Sequence, residues 1–130
     1  MAGATEAVST VRILVVDDQA PFRSAARTLV RLVGGGWRVV GEAVTGEQGV
    51  RLAAETGPDV VLMDINLPGI DGYEATRRIL ADRPGTAVVL LSTYAAGDLP
   101  EDPRACGAVG YLRKDAVTPA ALRALLAPSR

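Results

Sequence analysis

Short unbroken runs of aliphatic residues alternate along the chain with stretches whose apolar positions recur every three or four residues. Val60-Val61-Leu62-Met63 is the clearest run. It lies between Gly57-Pro58 and Pro68-Gly69 and passes straight into Asp64. An apolar run bounded by turn residues reads as a strand buried on both faces, as in a parallel sheet. Four further strands are expected: Arg12–Val16, ending at Asp17-Asp18; Trp37–Val40; Ala87–Leu91, ending at Ser92-Thr93; and Ala108–Leu112, ending near Lys114. Between the strands the period changes. Pro21 suits the first turn of a helix, and Phe22, Ala26, Leu29 and Val33 follow on one stripe until Gly34-Gly35-Gly36. Thr45-Gly46-Glu47-Gln48 has the pattern of a capping box and opens a helix that Gly57-Pro58 ends. Asp71-Gly72-Tyr73-Glu74 opens another, with Ala75, Ile79 and Leu80 facing inward and Pro84-Gly85 as its stop. Pro100 and Pro103 interrupt the next helical stretch, leaving a short helix from about Pro103 to Cys106. Thr118-Pro119 caps a last helix carrying Leu122, Leu125 and Leu126.

Five strands alternating with helices specify an α/β fold: a doubly wound parallel sheet with helices on both faces, three layers in all, joined by right-handed crossovers. The 130 residues suffice for one domain with a proper core, expected over 11–127 between a loose tail at 1–10 and a short one at 128–130. Composition narrows the function. A net charge of −1 and a pI near 5.4 lack the basic footprint of a nucleic-acid binder. No apolar run approaches the roughly 18 residues of a membrane span, and the N-terminus has no pattern of a secretion signal. The single cysteine, Cys106, excludes an internal disulfide and fits a reducing, cytoplasmic compartment. It reads as a small buried filler. Gly34-Gly35-Gly36 follows a helix rather than a strand, so a dinucleotide loop is not expected there.

There is no histidine, which removes a Ser-His-Asp triad, an imidazole base and any His-ligated metal. Thirteen of the 14 basic residues are arginine, and the exception is Lys114, where a compact ammonium is suited. Strand polarity puts Asp17, Asp18, Asp64, Ser92 and Lys114 on one rim of the sheet, where open α/β folds hold their ligands. Three close carboxylates repel one another unless a cation sits among them. A hard ion such as Mg²⁺ fits, with the backbone carbonyl of Asn66 as a further oxygen. A carboxylate so placed can attack phosphorus, while metal and ammonium neutralise the phosphoryl oxygens and Ser92 donates a hydroxyl. Singly, each residue has an ordinary reading: Asp17 a turn former, Asp71 a cap, Lys114 a solvated strand end, Ser92 a backbone partner, Tyr111 a core aromatic.

Together, Leu14-Val15-Val16-Asp17-Asp18, Met63-Asp64-Ile65-Asn66-Leu67-Pro68-Gly69-Ile70-Asp71-Gly72, Leu91-Ser92-Thr93 and Gly110-Tyr111-Leu112-Arg113-Lys114-Asp115 resemble the receiver domain of bacterial two-component response regulators. The resemblance runs from about Val11 to Ala127. It implies the flavodoxin-like strand order 2-1-3-4-5. It implies Asp64 as phosphoacceptor, with Asp17, Asp18, Asp64 and the Asn66 carbonyl around Mg²⁺. Ser92 and Tyr111 match the switch pair, and Lys114 the lysine of the site. It further implies a sensor histidine kinase as phosphodonor, Arg23, Arg27 and Val30 as kinase-docking positions, and a homodimer formed on phosphorylation. Lys114-Asp115-Ala116 is similar to the branch usually joined to a LuxR-type DNA-binding helix-turn-helix, fused or separate. An excised receiver is favoured over a single-domain regulator. Two departures stand out: proline-rich 97–103 in place of a regular fourth helix, and bulky Tyr94 two residues past Ser92, where it would slow access of water to a phosphoryl group. Two other readings compete. One is a receiver that acts as an interaction module without phosphate. The other is an aspartate-nucleophile phosphatase of the haloacid-dehalogenase type, disfavoured because Asn66 stands where a second aspartate is wanted.

Overall fold

All five aliphatic runs form strands, and the helical stripes pack on both sides of them. The structure, a computed structural model, describes residues 10–94 and 96–126. Apart from Thr10, the expected tails at 1–10 and 128–130 lie outside the described residues. The elements are β1 (Val11–Val16), α1 (Ala20–Val33), β2 (Trp37–Ala43), α2 (Gly46–Thr56), β3 (Val60–Asp64), α3 (Gly72–Asp82), β4 (Ala87–Ser92), β5 (Gly110–Arg113) and α4 (Pro119–Leu126). The sheet is parallel throughout, in the order β2-β1-β3-β4-β5. This is the doubly wound, three-layer architecture expected.

Alternate residues of the central strands feed two cores. Ile13, Val15, Leu62, Val89 and Leu91 pack with Ala26 and Val30 of α1 and Leu122 of α4. Leu14, Val16, Met63, Val88 and Leu90 pack with Ala53 of α2 and with Ala75 and Ile79 of α3. All five residues of β3 are buried, as its unbroken apolar pattern requires.

Local signals end the helices where they were read. The Thr45 hydroxyl accepts from the Gln48 N–H at 3.0 Å, and the Gln48 side chain reaches back to the Val44 N–H at 2.8 Å. Asp71 caps α3 by accepting from the Glu74 N–H, and Thr118 accepts from the Ala121 N–H. Gly34, Gly35 and Gly36 all have positive φ, a sequence of conformations that side-chain-bearing residues resist.

Two strand boundaries and one helix type differ from expectation. β2 continues through Gly41 and Glu42 to Ala43, because an edge strand tolerates residues a central one would not. Val40 is the extra residue of a bulge, since Ile13 pairs with Val39 and Leu14 with Gly41. β5 begins at Gly110, with Ala108 buried but Val109 exposed outside the ladder. The helix expected at Pro103–Cys106 is a 3₁₀ turn, preceded by another at Ala96–Asp98. Cys106 is buried, as a filler should be. The turn segment is tied to α3 through the Tyr73 hydroxyl, which donates to the Glu101 carbonyl at 3.0 Å. One surface expectation fails outright. Val30, read as a docking position, is 2% exposed and belongs to the core, because α1 faces the sheet with Ala26 and Val30, one turn apart.

Candidate functional site

Parallel register aligns the chemistry. Val16 pairs with Met63, so the next residues, Asp17 and Asp64, leave the sheet side by side. Asp64 pairs with Leu91 and Ser92 with Arg113, which sets Ser92 and Lys114 one and two steps further out. Asp17 is fully buried and Asp64 is 3% exposed, whereas Asp18 is open to solvent.

Carboxylate oxygens of Asp17, Asp18 and Asp64 lie within 4.8 Å of one another. Lys114 Nζ stands 2.7 Å from Asp17 Oδ2 and 3.4 Å from Asp64 Oδ2. Asp17 Oδ1 accepts from the Gln19 N–H at 2.8 Å, and Asp64 Oδ1 from the Asn66 N–H at 3.2 Å. Removal from water raises the Asp64 carboxyl to about 6, and the Asp17 charge adds to the rise; Lys114 and the Asn66 N–H offset part of it. Asp17 Oδ2 is buried and accepts no aligned hydrogen bond. Three convergent carboxylates, one with a buried oxygen that meets only the Lys114 ammonium and one with a raised pKa, suit a divalent cation held by oxygen ligands.

A crevice of about 170 Å³ opens over this cluster, lined by Asp18, Gln19, Asp64, Asn66, Thr93 and Lys114. The larger apolar groove beside α1, of about 370 Å³, reaches the cluster only through Lys114. Ser92 is buried beside the crevice, and its Oγ accepts from the Tyr94 N–H at 3.1 Å. The Tyr111 hydroxyl donates to the Tyr94 carbonyl and lies 3.5 Å from that of Ser92. The structure thus gathers Asp17, Asp18, Asp64 and Lys114 directly, with Asn66 at the rim. It sets Ser92, at the end of β4, and Tyr111, on β5, in a second layer around the loop that follows β4.

Two contacts were not anticipated. Gln19 Oε1 accepts from Lys114 Nζ at 3.1 Å, and the ammonium sits 4.8 Å from the centroid of the Phe22 ring. Gln19 directly follows the acidic pair, so strand polarity already placed it at the rim. Its side chain carried no motif to mark it.

The model of the response regulator receiver domain matches residues 13–127. The chain belongs to that family. Receiver domains serve phosphorylation-dependent two-component signalling, and this chain carries their acidic pocket. It is 40% identical over 106 residues to the response regulator GacA of Pseudomonas aeruginosa, covering 82% of this chain and 49% of that protein. Response regulator UvrY of Escherichia coli K12 is 38% identical over 106 residues, covering 82% and 48%. The chain spans about half the length of these curated relatives. Among solved structures, a LuxR-family two-component response regulator from Aurantimonas sp. SI85-9A1 superposes with a TM-score of 0.75 at 36% identity, covering 88% of this chain and 80% of that one. The chemotaxis protein CheY4 of Vibrio cholerae shares the fold, with a TM-score of 0.76 at 24% identity over 91% of this chain and 97% of that one. No helix among the described residues is long and apolar enough to cross a membrane.

Proposed function

We propose that this receiver takes a phosphoryl group onto Asp64 from a phosphohistidine of a sensor kinase, with Mg²⁺ at the acidic cluster. The observation that carries the reading is the convergence of Asp17, Asp18 and Asp64 with Lys114 at one crevice. An Asp64 oxygen forms the new bond to phosphorus as the donor's bond breaks, and the leaving group departs with its electron pair. The Asp64 side chain is desolvated, held at Oδ1 by the Asn66 N–H and approached at Oδ2 by Lys114, so the nucleophile is oriented before a donor arrives. Lys114 supplies positive charge to a phosphoryl oxygen. Ser92, whose Oγ accepts from Tyr94, keeps its own proton to donate. Asp17, Asp18 and Asp64, with the Asn66 carbonyl, would hold the ion, whose charge screens the carboxylates and the phosphoryl oxygens.

Switching follows from the second layer. If the Ser92 hydroxyl turns to the phosphoryl group, the segment 92–94 shifts and Tyr111 loses the backbone acceptor that holds it. The output is a change of shape rather than turnover of an external substrate. The domain works in the cytoplasm, within a regulator whose other half is a LuxR-type DNA-binding module, and phosphorylation favours a homodimer.

Acetyl phosphate with Mg²⁺ should add the mass of one phosphoryl group to the wild type and leave Asp64→Asn unchanged. Beryllofluoride with Mg²⁺ should shift the amide signals of the β4 loop and β5. Equal labelling of both proteins would sink the reading. Mg²⁺-dependent hydrolysis of p-nitrophenyl phosphate at enzymatic rates would replace it with the phosphatase reading.

A further inference from the structure

The first turn of α1 grips the lysine of the site. Gln19 precedes α1, its side chain makes no cap hydrogen bond to the helix, and its Oε1 accepts from Lys114 Nζ at 3.1 Å. Among the described residues this is the one aligned hydrogen bond of that ammonium to a side chain. The 2.7 Å approach to Asp17 Oδ2 is a charge contact without hydrogen-bond alignment. The ring of Phe22 lies 4.8 Å away, on the same turn of α1. A charge-assisted N–H···O bond is ordinarily about 2.7–2.9 Å long. The Lys114–Asp64 separation of 3.4 Å is therefore a standoff, with the ammonium drawn toward α1 and Asp17.

We propose that Gln19 is a positioning residue, whose side-chain carbonyl holds the Lys114 ammonium off Asp64 so that it meets the incoming phosphoryl group instead of masking the nucleophile. A neutral amide suits the task. It orients the ammonium without adding a fourth carboxylate to the cluster, and it leaves Lys114 N–H groups for a phosphoryl oxygen. Without the carbonyl, the ammonium keeps Asp17 but loses its restraint on the α1 side, and it can tilt from 3.4 Å into a short ion pair with Asp64. That pair must be broken before the carboxylate can attack. This role rests on Asp64 being the phosphoacceptor.

Lys114 is the chain's one lysine, so lysine labelled with ¹³C and ¹⁵N reports on it alone. The test compares wild type, Gln19→Leu and Gln19→Glu, with Asp64→Asn as the blank. The backbone N–H of Gln19 bonds to Asp17 Oδ1 whatever its side chain, and the helix loses no cap, so both Gln19 variants should fold with melting temperatures similar to wild type. In the ion-free protein, Gln19→Leu should shift the Lys114 ammonium signal and speed its proton exchange. With acetyl phosphate and Mg²⁺ it should slow phosphorylation on the order of fivefold, the scale of one lost hydrogen bond. Gln19→Glu keeps an oxygen at the same reach but adds a fourth carboxylate, so it should bring the lysine signal back toward wild type while the rate recovers only in part. An unchanged lysine signal, or an unchanged rate, in Gln19→Leu overturns the role. Wild type labelled no better than Asp64→Asn is a different result, and it removes the phosphoacceptor reading itself.

Discussion

Lys114 Nζ approaches Asp17 Oδ2 at 2.7 Å and binds a carboxylate that is fully buried. The pair brings together the first strand's end and the turn after the last one. Removing one member of a buried pair leaves the other charge uncompensated, usually at a cost of several kcal/mol. Lys114→Met should therefore lower stability at neutral pH by on the order of 3 kcal/mol. Millimolar Mg²⁺ should recover part of the loss by replacing the missing positive charge. Urea unfolding with and without the ion measures both effects.

The Asp64 carboxyl titrates near 6 in the folded protein, against about 4 for an unfolded aspartate. Between those values the folded state holds a proton that the unfolded state has released, so stability falls as pH rises through the window and stays low above it. Asp64→Asn removes the penalty. The variant should be more stable than wild type at pH 7.5 by up to about 2–3 kcal/mol, and the difference should vanish below about pH 4. A flat wild-type profile from pH 4 to 7 in ion-free buffer would contradict this.

Gly72 opens α3 directly beneath the phosphoacceptor candidate. A β-carbon there would lie 2.3 Å from the carbonyl oxygen of Asp64 and 2.8 Å from the α-carbon of Ile65. Both neighbours are backbone, so neither yields by turning a side chain. Gly72→Ala should destabilise by about 3 kcal/mol and displace Asp64, with a shifted Asn66 amide signal as the local readout.

Tyr73 is buried, and its hydroxyl holds Glu101 in the turn segment that replaces a regular fourth helix. Tyr73→Phe should cost about 1 kcal/mol, since one neutral hydrogen bond is lost and the ring's packing is kept. Hydrogen exchange should quicken at 101–106 more than in β3. Equal protection of that segment in both proteins would show that the hydroxyl is not its tether.

Much of this was legible in the chain. Strands buried on both faces announce themselves as unbroken aliphatic runs, and parallel polarity alone sends Asp17, Asp64 and Lys114 to one rim. Capping at Thr45, Asp71 and Thr118 was readable because each signal is local. What escaped notice depends on tertiary contact. Gly41 and Glu42 are poor strand formers that an edge position nevertheless accepts. Val30 was placed on a docking surface by the family resemblance alone, whereas in this chain it packs under the sheet beside Ala26. Gln19 had no pattern to betray it, since its partner is 95 positions away.

The pleat separates two tasks. Asp17 and Asp64 share the parity of Ile13, Val15, Val60 and Leu62, whose side chains point toward α1, while Ser92 shares that of Val88 and Leu90 on the opposite layer. Acquiring phosphate and reporting it thus sit on odd and even counts of the same ladder. Deleting a single residue from β3 would turn Asp64 away from the lysine and drag the core across with it. Within β3, only a change of two residues keeps Asp64 on the lysine's side.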